Sequence, residues 1–273
     1  MVIIILIVLG LCLGSFINAL VWRIHEQSKS KTKQNNKAYS ILSGRSMCPN
    51  CKHQLETKDL IPVFSWIALK GQCRYCGRKI GLQYPLVELF TAAMIIMSYI
   101  YWPSAFSGFG LVEFCLWVIF LVGFIALSIY DIRWTILPNR IIYPLIGLAI
   151  VQLLIGLIFF KTGTTAIFSA IFGILFSGGL FYALYTFSDG RWIGGGDVKL
   201  GFLIGIIIGG PINSILVLII ASFLGTFYSV PLLVSGKVTR SSKIPFGPFL
   251  IIAAVIMELF GITIVNFYKH LFL

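Results

Sequence analysis

Two pairs of cysteines and two aspartates carry most of the chemistry this sequence offers. Cys48-Pro49-Asn50-Cys51 and Cys73-Arg74-Tyr75-Cys76 are C-x2-C pairs separated by 21 residues. Two thiolate pairs on tight turns present four soft sulfur ligands in a tetrahedron, the closed geometry of structural zinc, with no open position for a reactive water. The spacing lies just beyond the usual zinc-ribbon range, and reduced thiols or disulfides are the competing readings. Asp131 follows the apolar run Ala126-Leu127-Ser128-Ile129-Tyr130, and Asp197 follows Gly194-Gly195-Gly196 and precedes Val198-Lys199-Leu200. Both sit where an apolar stretch ends. Two carboxylates brought together in such a poorly solvated place share one proton. One then takes a proton from water while its protonated partner polarises a carbonyl, which is aspartic-protease chemistry. The glycines allow close backbone approach to a substrate strand, whereas the Lys-Ser/Thr ending of a phosphate-binding loop is missing. Other readings stay open at this point: Asp131 as an interfacial charge beside Arg133, Asp197 or Asp189 as helix N-caps, or the same acids serving an ion-coupled transporter.

The elements that position these residues lie in a membrane. Of 273 residues, 58% are hydrophobic and only 11% charged, and the mean hydropathy is +0.97. A soluble domain, a disordered chain, a collagen and a disulfide scaffold are all excluded by that composition. About 20 apolar residues are needed per crossing. Windows of that size predict an all-α polytopic protein with about eight transmembrane helices, at 1–22, 82–102, 111–130, 141–160, 166–187, 200–210, 212–234 and 246–267. The sixth is the weakest, being short and ending at Gly209-Gly210-Pro211. The first lacks a basic residue ahead of its apolar run and is followed by Arg23, so it is expected to stay as an anchor with its N-terminus outside. Cys12 and Cys115, inside apolar spans, are expected to be small core residues.

Charge supports this layout. Eight crossings put 23–84, 131–140, 188–199 and 235–243 on one side, and those segments hold 19 of the 21 Lys and Arg, leaving Lys161 and Lys269 for the other. The positive-inside rule makes that side cytoplasmic and returns the C-terminus to the outside. The segment 23–84 carries 12 basic and 3 acidic side chains. Its tract 27–38 is expected to be a solvated arm, and the remainder is a small domain that needs a staple such as a four-cysteine metal site. The sequence therefore divides into an anchor at 1–22, a basic zinc-ribbon-like cytoplasmic loop at 23–84 and a helical membrane domain at 82–273. The basic excess carries no base-reading or stacking motif, so a nucleic-acid partner is not expected.

Taken in order, these residues resemble a known family, the type IV prepilin peptidases, which are GxGD-type aspartic peptidases of bacterial membranes. The resemblance covers nearly the whole chain. It rests on Gly14-Ser15-Phe16 with Asn18 and Arg23, on Ser46 to Cys51, on Asp59-Leu60-Ile61-Pro62 with Ser65-Trp66, on Gly71 to Cys76 and on Tyr84-Pro85-Leu86-Val87-Glu88. It continues through Asp131 with Leu137-Pro138-Asn139, Gly194 to Leu200 and Pro245-Phe246-Gly247-Pro248. The resemblance implies that Asp131 and Asp197 are catalytic, supported by Gly194, Gly195, Gly196 and Lys199. It implies cleavage of a leader peptide after Gly at the cytoplasmic membrane face. The substrates would be prepilins or pseudopilins of pilus, secretion or competence systems. It further implies that members with the cysteine loop methylate the new N-terminus using S-adenosylmethionine, with Zn2+ held structurally by Cys48, Cys51, Cys73 and Cys76 and the cofactor-binding residues unassigned. The alternative is a peptidase whose zinc loop is structural only. Two features depart from the family pattern: Ile24-His25-Glu26 stands where members often have Leu-Pro, and the Lys/Asn-rich arm resembles an insertion. Glu56, Asp59 and Glu88 are candidates to offset the basic loop against a basic leader.

Overall fold

The computed structural model describes residues 1–29, 39–41, 44–160, 163–237, 239 and 244–272; most of the predicted solvated arm at 27–38 lies outside the described residues. Among the described residues the regular structure is helical, with two isolated β-bridges. The helices are α1 (Val2–Lys29), α2 (Phe64–Ala68), α3 (Gln83–Ile100), α4 (Phe109–Trp134), α5 (Asn139–Phe159), α6 (Thr164–Phe187), α7 (Gly195–Ile208), α8 (Pro211–Val234) and α9 (Gly247–Phe272). A 3-10 turn, Thr57–Leu60, precedes α2. The 7 helices α1, α3, α4, α5, α6, α8 and α9 are long and apolar enough to cross a membrane. Their outer faces show what surrounds them: α8 has a mean hydropathy of 2.2 in its most apolar window, yet only 17% of that window is buried. Such apolar side chains are stable facing outward only if the solvent is lipid.

The chain forms two compact units, Met1–Ile100 and Tyr101–Leu273. In the first, α1 and α3 cross closely because α1 carries Gly10-Leu11-Cys12-Leu13-Gly14 on its inner face. A Cβ at Gly10 would lie 2.4 Å from Ala92 Cα, and one at Gly14 would lie 2.5 Å from Glu88 Cα. This is the small-residue crossing by which helices associate in lipid, where packing and not hydrophobicity supplies the attraction. Cys12 lies on the exposed face of α1 and Cys115 on that of α4, so neither is the core residue expected from its apolar surroundings. An apolar stretch in a membrane protein looks the same whether it faces protein or lipid.

The second unit packs α4 to α9 around Trp117, Phe120, Phe124, Leu127, Leu200, Leu203 and Ile204, all at most 2% exposed. The weakly predicted sixth span is its innermost helix. α7 has 14 residues, about 21 Å at 1.5 Å per residue, and is lined by Gly201 and Gly205. A Cβ at Gly205 would sit 2.6 Å from Gly173 O, and one at Gly178 would sit 2.2 Å from the Phe202 ring. The partner helix α6 is wound as a π-helix over Leu175–Gly179, beside this contact. α7 stops at Gly209 and Gly210, both at positive φ, where the Gly210 N–H donates to Ser169 O at 2.7 Å. Ser169 is five residues into α6, so the short helix traverses most of the depth of its antiparallel neighbour before α8 turns back.

Candidate active site and metal centre

Asp131 lies in the last turn of α4 and is 5% exposed. The helix ends four residues later because Thr135 adopts a left-handed conformation (φ 52°) and its N–H closes onto Asp131 O at 2.7 Å. Pro138 then caps α5. The Asp131 side chain is held from another helix: Asp131 Oδ2 accepts the Gly247 N–H at 3.1 Å, at the start of α9. A Cβ on Gly247 would come 2.7 Å from that oxygen, so only glycine lets the backbone reach the carboxylate.

Asp197 is the third residue of α7, whose N-cap is Gly194. It is therefore not itself the cap; its N–H donates to Gly194 O at 3.0 Å. Its carboxylate sits in the first turn, where the helix dipole favours negative charge. A Cβ on Gly194 would lie 3.2 Å from Asp197 Oδ2, and one on Gly196 would lie 3.0 Å from Leu137 Cβ. Leu137, 8% exposed, would also meet a Cβ on Gly247 at 3.4 Å. One leucine thus sets the spacing of the first turn of α7 and the start of α9. Lys199 Nζ donates to Asn139 Oδ1 at 2.7 Å and lies over the Tyr143 ring, tying α7 to α5. Asp189 lies in the turn that follows α6, at positive φ.

Leu137, Asn139 and Gly247 have no reactive side chain, so a search for chemistry passes them over. The sequence signals for them were the Leu-Pro-Asn and Pro-Phe-Gly-Pro clusters, which mark enforced turns without saying what they position.

The four cysteines converge as their spacing predicted. Their Sγ atoms all lie within 4.8 Å of one another, and Cys48 Sγ to Cys76 Sγ is 3.9 Å. A tetrahedron with Zn–S bonds of about 2.3 Å has edges of about 3.8 Å, so the donor set fits a metal ion of that size. The two halves are built alike, offset by 25 residues. The Cys48 N–H donates to His53 O and the Cys73 N–H to Arg78 O, both at 2.9 Å, and Lys52 (φ 59°) and Gly77 (φ 68°) make equivalent left-handed turns. The bridges Met47–Gln54 and Gln72–Lys79 close them. Burial pushes the Cys73 thiol up, while the Arg78 backbone N–H and the Asn50 amide hold Cys76 down to about 6, which favours the ligating thiolate.

The acids proposed to offset a basic leader are engaged within the loop. Asp59, with a side chain 2% exposed, accepts from Arg74 Nε at 2.8 Å and Tyr75 OH at 3.1 Å. Burial raises its carboxyl, but the hydrogen bonds from Arg74 and Tyr75 outweigh it and leave the group below its ordinary value. Burial and Asp59 push the Tyr75 hydroxyl up to about 12. Glu56 pairs with Lys58 at 2.7 Å. Glu88 is buried, and its Oε2 accepts the N–H of Val63, a β-branched residue at φ 62°. That bond links α3 to the start of α2 and holds a strained backbone in place.

Residues 8–102 match the Bacterial Peptidase A24 N-terminal domain, and residues 118–230 match the type IV leader peptidase family. A prepilin leader peptidase/N-methyltransferase of Pseudomonas aeruginosa is 31% identical over 275 residues, covering 96% of this chain and 91% of the relative. Proteins of the same name from Aeromonas hydrophila and Bacillus subtilis are each 30% identical, covering 97% of this chain and 92% and 96% of themselves. No solved structure matches the chain. The matched segments contain both the cysteine loop and the two aspartates, the similarity runs nearly end to end, and the chain belongs to the type IV leader peptidase family.

Proposed function

We propose that Asp131 and Asp197 are the acid pair with which this leader peptidase hydrolyses the bond after the glycine that ends a prepilin or pseudopilin leader. The observation that carries the reading is that the Gly247 N–H holds Asp131 Oδ2 at 3.1 Å while Leu137 packs against both Gly247 and Gly196, the residue before Asp197. One carboxylate, ionised, accepts a proton from the attacking water. The other, protonated, donates to the scissile carbonyl oxygen and so stabilises the charge that develops there. The pair exchanges these roles as the proton moves to the leaving amine, and it titrates as a unit. Gly195 leaves room for a substrate strand, Gly194 and Gly196 make room for Asp197 and Leu137, and Lys199 holds the first turn of α7 in place through Asn139.

The cytoplasmic face of the bacterial plasma membrane is the proposed location of this chemistry, with both termini outside. The support is the collection of 19 of 21 basic residues on one side of the crossings. A prepilin has a basic leader followed by an apolar helix, so its cleavage site would reach the same interface. The peptidase reading belongs to 82–273, with 1–22 as anchor and 23–84 as the methyltransferase-associated loop. There Cys48, Cys51, Cys73 and Cys76 would hold a structural Zn2+, and S-adenosylmethionine would be the methyl donor. When bound, that cofactor supplies an electrophilic methyl group, which an amine takes with its lone pair as the carbon–sulfur electron pair returns to sulfur.

Asp131→Asn and Asp197→Asn are each expected to abolish prepilin processing in membranes, by at least about 10³-fold, while the protein stays folded. Full cleavage by either variant refutes the pair. Mass spectrometry of the mature pilin N-terminus tests methylation: an increment of about 14 Da is expected, and its absence reduces the cysteine loop to a structural role.

A further inference from the structure

The unit Met1–Ile100 contains a cavity of about 480 Å³ between the lower half of α1 and the cysteine loop, within the roughly 300–1,000 Å³ typical of small-molecule sites. Neither the proposed peptidase chemistry nor a closed set of four thiolates uses it. Its walls combine flat aromatic surface with a few fixed polar groups. Trp22 and Trp66 both line it. The Trp66 indole N–H donates to Ile80 O at 3.1 Å, and a Cβ on Gly71 would strike the ring at 2.8 Å, so the indole is seated on backbone and cannot swing.

Asn18 supplies the observation that points to a ligand. It is 5% exposed, and its Nδ2 donates to Tyr84 O at 3.1 Å, but its Oδ1 is buried with no hydrogen-bond partner. A buried acceptor left unpaired is costly, and in the wall of a cavity it marks where a donor belongs. The same wall carries both signs of charge. Glu88 is anchored by the Val63 N–H at 2.7 Å, and Lys79 lies on the exposed side.

We propose that this cavity is the S-adenosylmethionine site. The assignment rests on the methyltransferase reading above and adds to it the residues that hold the cofactor. The purine stacks on Trp66, since the Trp22 ring is already covered by Lys52 Nζ at 4.9 Å, and gives its exocyclic amine hydrogen to Asn18 Oδ1. The cationic end of the cofactor is drawn to the Glu88 carboxylate, and its amino-acid carboxylate meets Lys79. Cys48 and Cys73, the two buried thiols of the four, are part of the same wall. Metal binding therefore shapes this cavity, which gives the loop a role beyond stapling itself.

The test is equilibrium dialysis of radiolabelled S-adenosylmethionine against the full-length, metal-loaded protein in detergent micelles, with pilin methylation followed in parallel. Saturable binding is expected, displaced by S-adenosylhomocysteine. Asn18→Leu is expected to weaken it about tenfold, the worth of one hydrogen bond to a buried acceptor, and Lys79→Gln about two- to fivefold. Metal content and a monodisperse elution peak report folding. If Asn18→Leu does not fold, Lys79→Gln, which alters an exposed side chain, carries the comparison. Unchanged affinity in the folded variants overturns the site, as does a wild-type protein that methylates pilin without saturable binding. A wild-type protein that neither binds nor methylates removes the methyltransferase reading, and the site with it.

Discussion

The proposed acid pair is positioned by residues that carry no reactive group. Only 9 carboxylates occur in 273 residues, so each of Asp131 and Asp197 stood out against an apolar background. Gly247 and Leu137 act through shape alone. The Gly247 N–H reaches Asp131 Oδ2 at 3.1 Å only because there is no Cβ to collide with it. Gly247→Ala is therefore expected to push α9 or the carboxylate aside, costing about 1–3 kcal/mol of stability and on the order of 10²-fold in prepilin cleavage. Single-turnover cleavage by the folded variant checks this, and wild-type rates would show that the contact does not orient the acid. Leu137→Ala removes the spacer common to Gly196 and Gly247. A buried leucine truncated in this way costs about 2–5 kcal/mol. The accompanying drop in cleavage is expected to exceed that of an equally destabilising substitution at Leu203, which is also buried but packs in the helix interior.

At the scale of elements, the crossing helices follow one rule twice. Gly10 and Gly14 bring α1 onto α3, and Gly201 and Gly205 bring α7 onto α6. Hydropathy windows located every membrane-crossing helix because length and apolarity are what a bilayer demands. They ranked α7 lowest for the same reason: at 14 residues it is too short to satisfy lipid alone. Being surrounded by other helices, it does not need to, and the glycine repeat in Gly201-Phe202-Leu203-Ile204-Gly205 was the overlooked sign of an interior helix. Gly205→Leu should displace α7 from α6, since even a Cβ there would lie 2.6 Å from Gly173 O. The first turn of α7 carries Asp197, so loss of cleavage together with a lowered melting temperature is expected, and an active, fully stable variant would refute the role of this crossing. The cysteine loop obeys a different constraint. On the proposed metal reading its folding would draw on four ligands in place of a large core, so chelation is expected to make 44–82 sensitive to protease while prepilin cleavage persists. The repeat between its two halves was hidden in the sequence, because the matching positions share backbone conformation and not residue type beyond the cysteines.

For the whole molecule, the proposed topology gathers the basic residues behind the +12 net charge on one face of the membrane. Its arrangement depends on the parity of crossings, and parity depends on α7. If α7 and α8 make two passes, the segment after α8 returns to the side of Asp131 and Asp197. If α7 were only a half-pass and α8 a full crossing, Lys237 would face the opposite side. The contacts of α7 along α6 argue for two passes: Gly201 lies at Gly178, Gly205 at Gly173, and Gly209 at Ser169. A helix that tracks its neighbour over that length has covered most of the bilayer before Pro211 starts the return. Single cysteines at positions 161, 191, 237 and 269, in a background with Cys12 and Cys115 replaced by serine, separate the two arrangements. In intact cells a membrane-impermeant maleimide is expected to label positions 161 and 269, with 191 and 237 reacting only after permeabilisation. Labelling of 237 from outside would break the parity. It would also scatter the basic residues across both faces, and with them the reason for placing the acid pair where a basic leader meets the membrane.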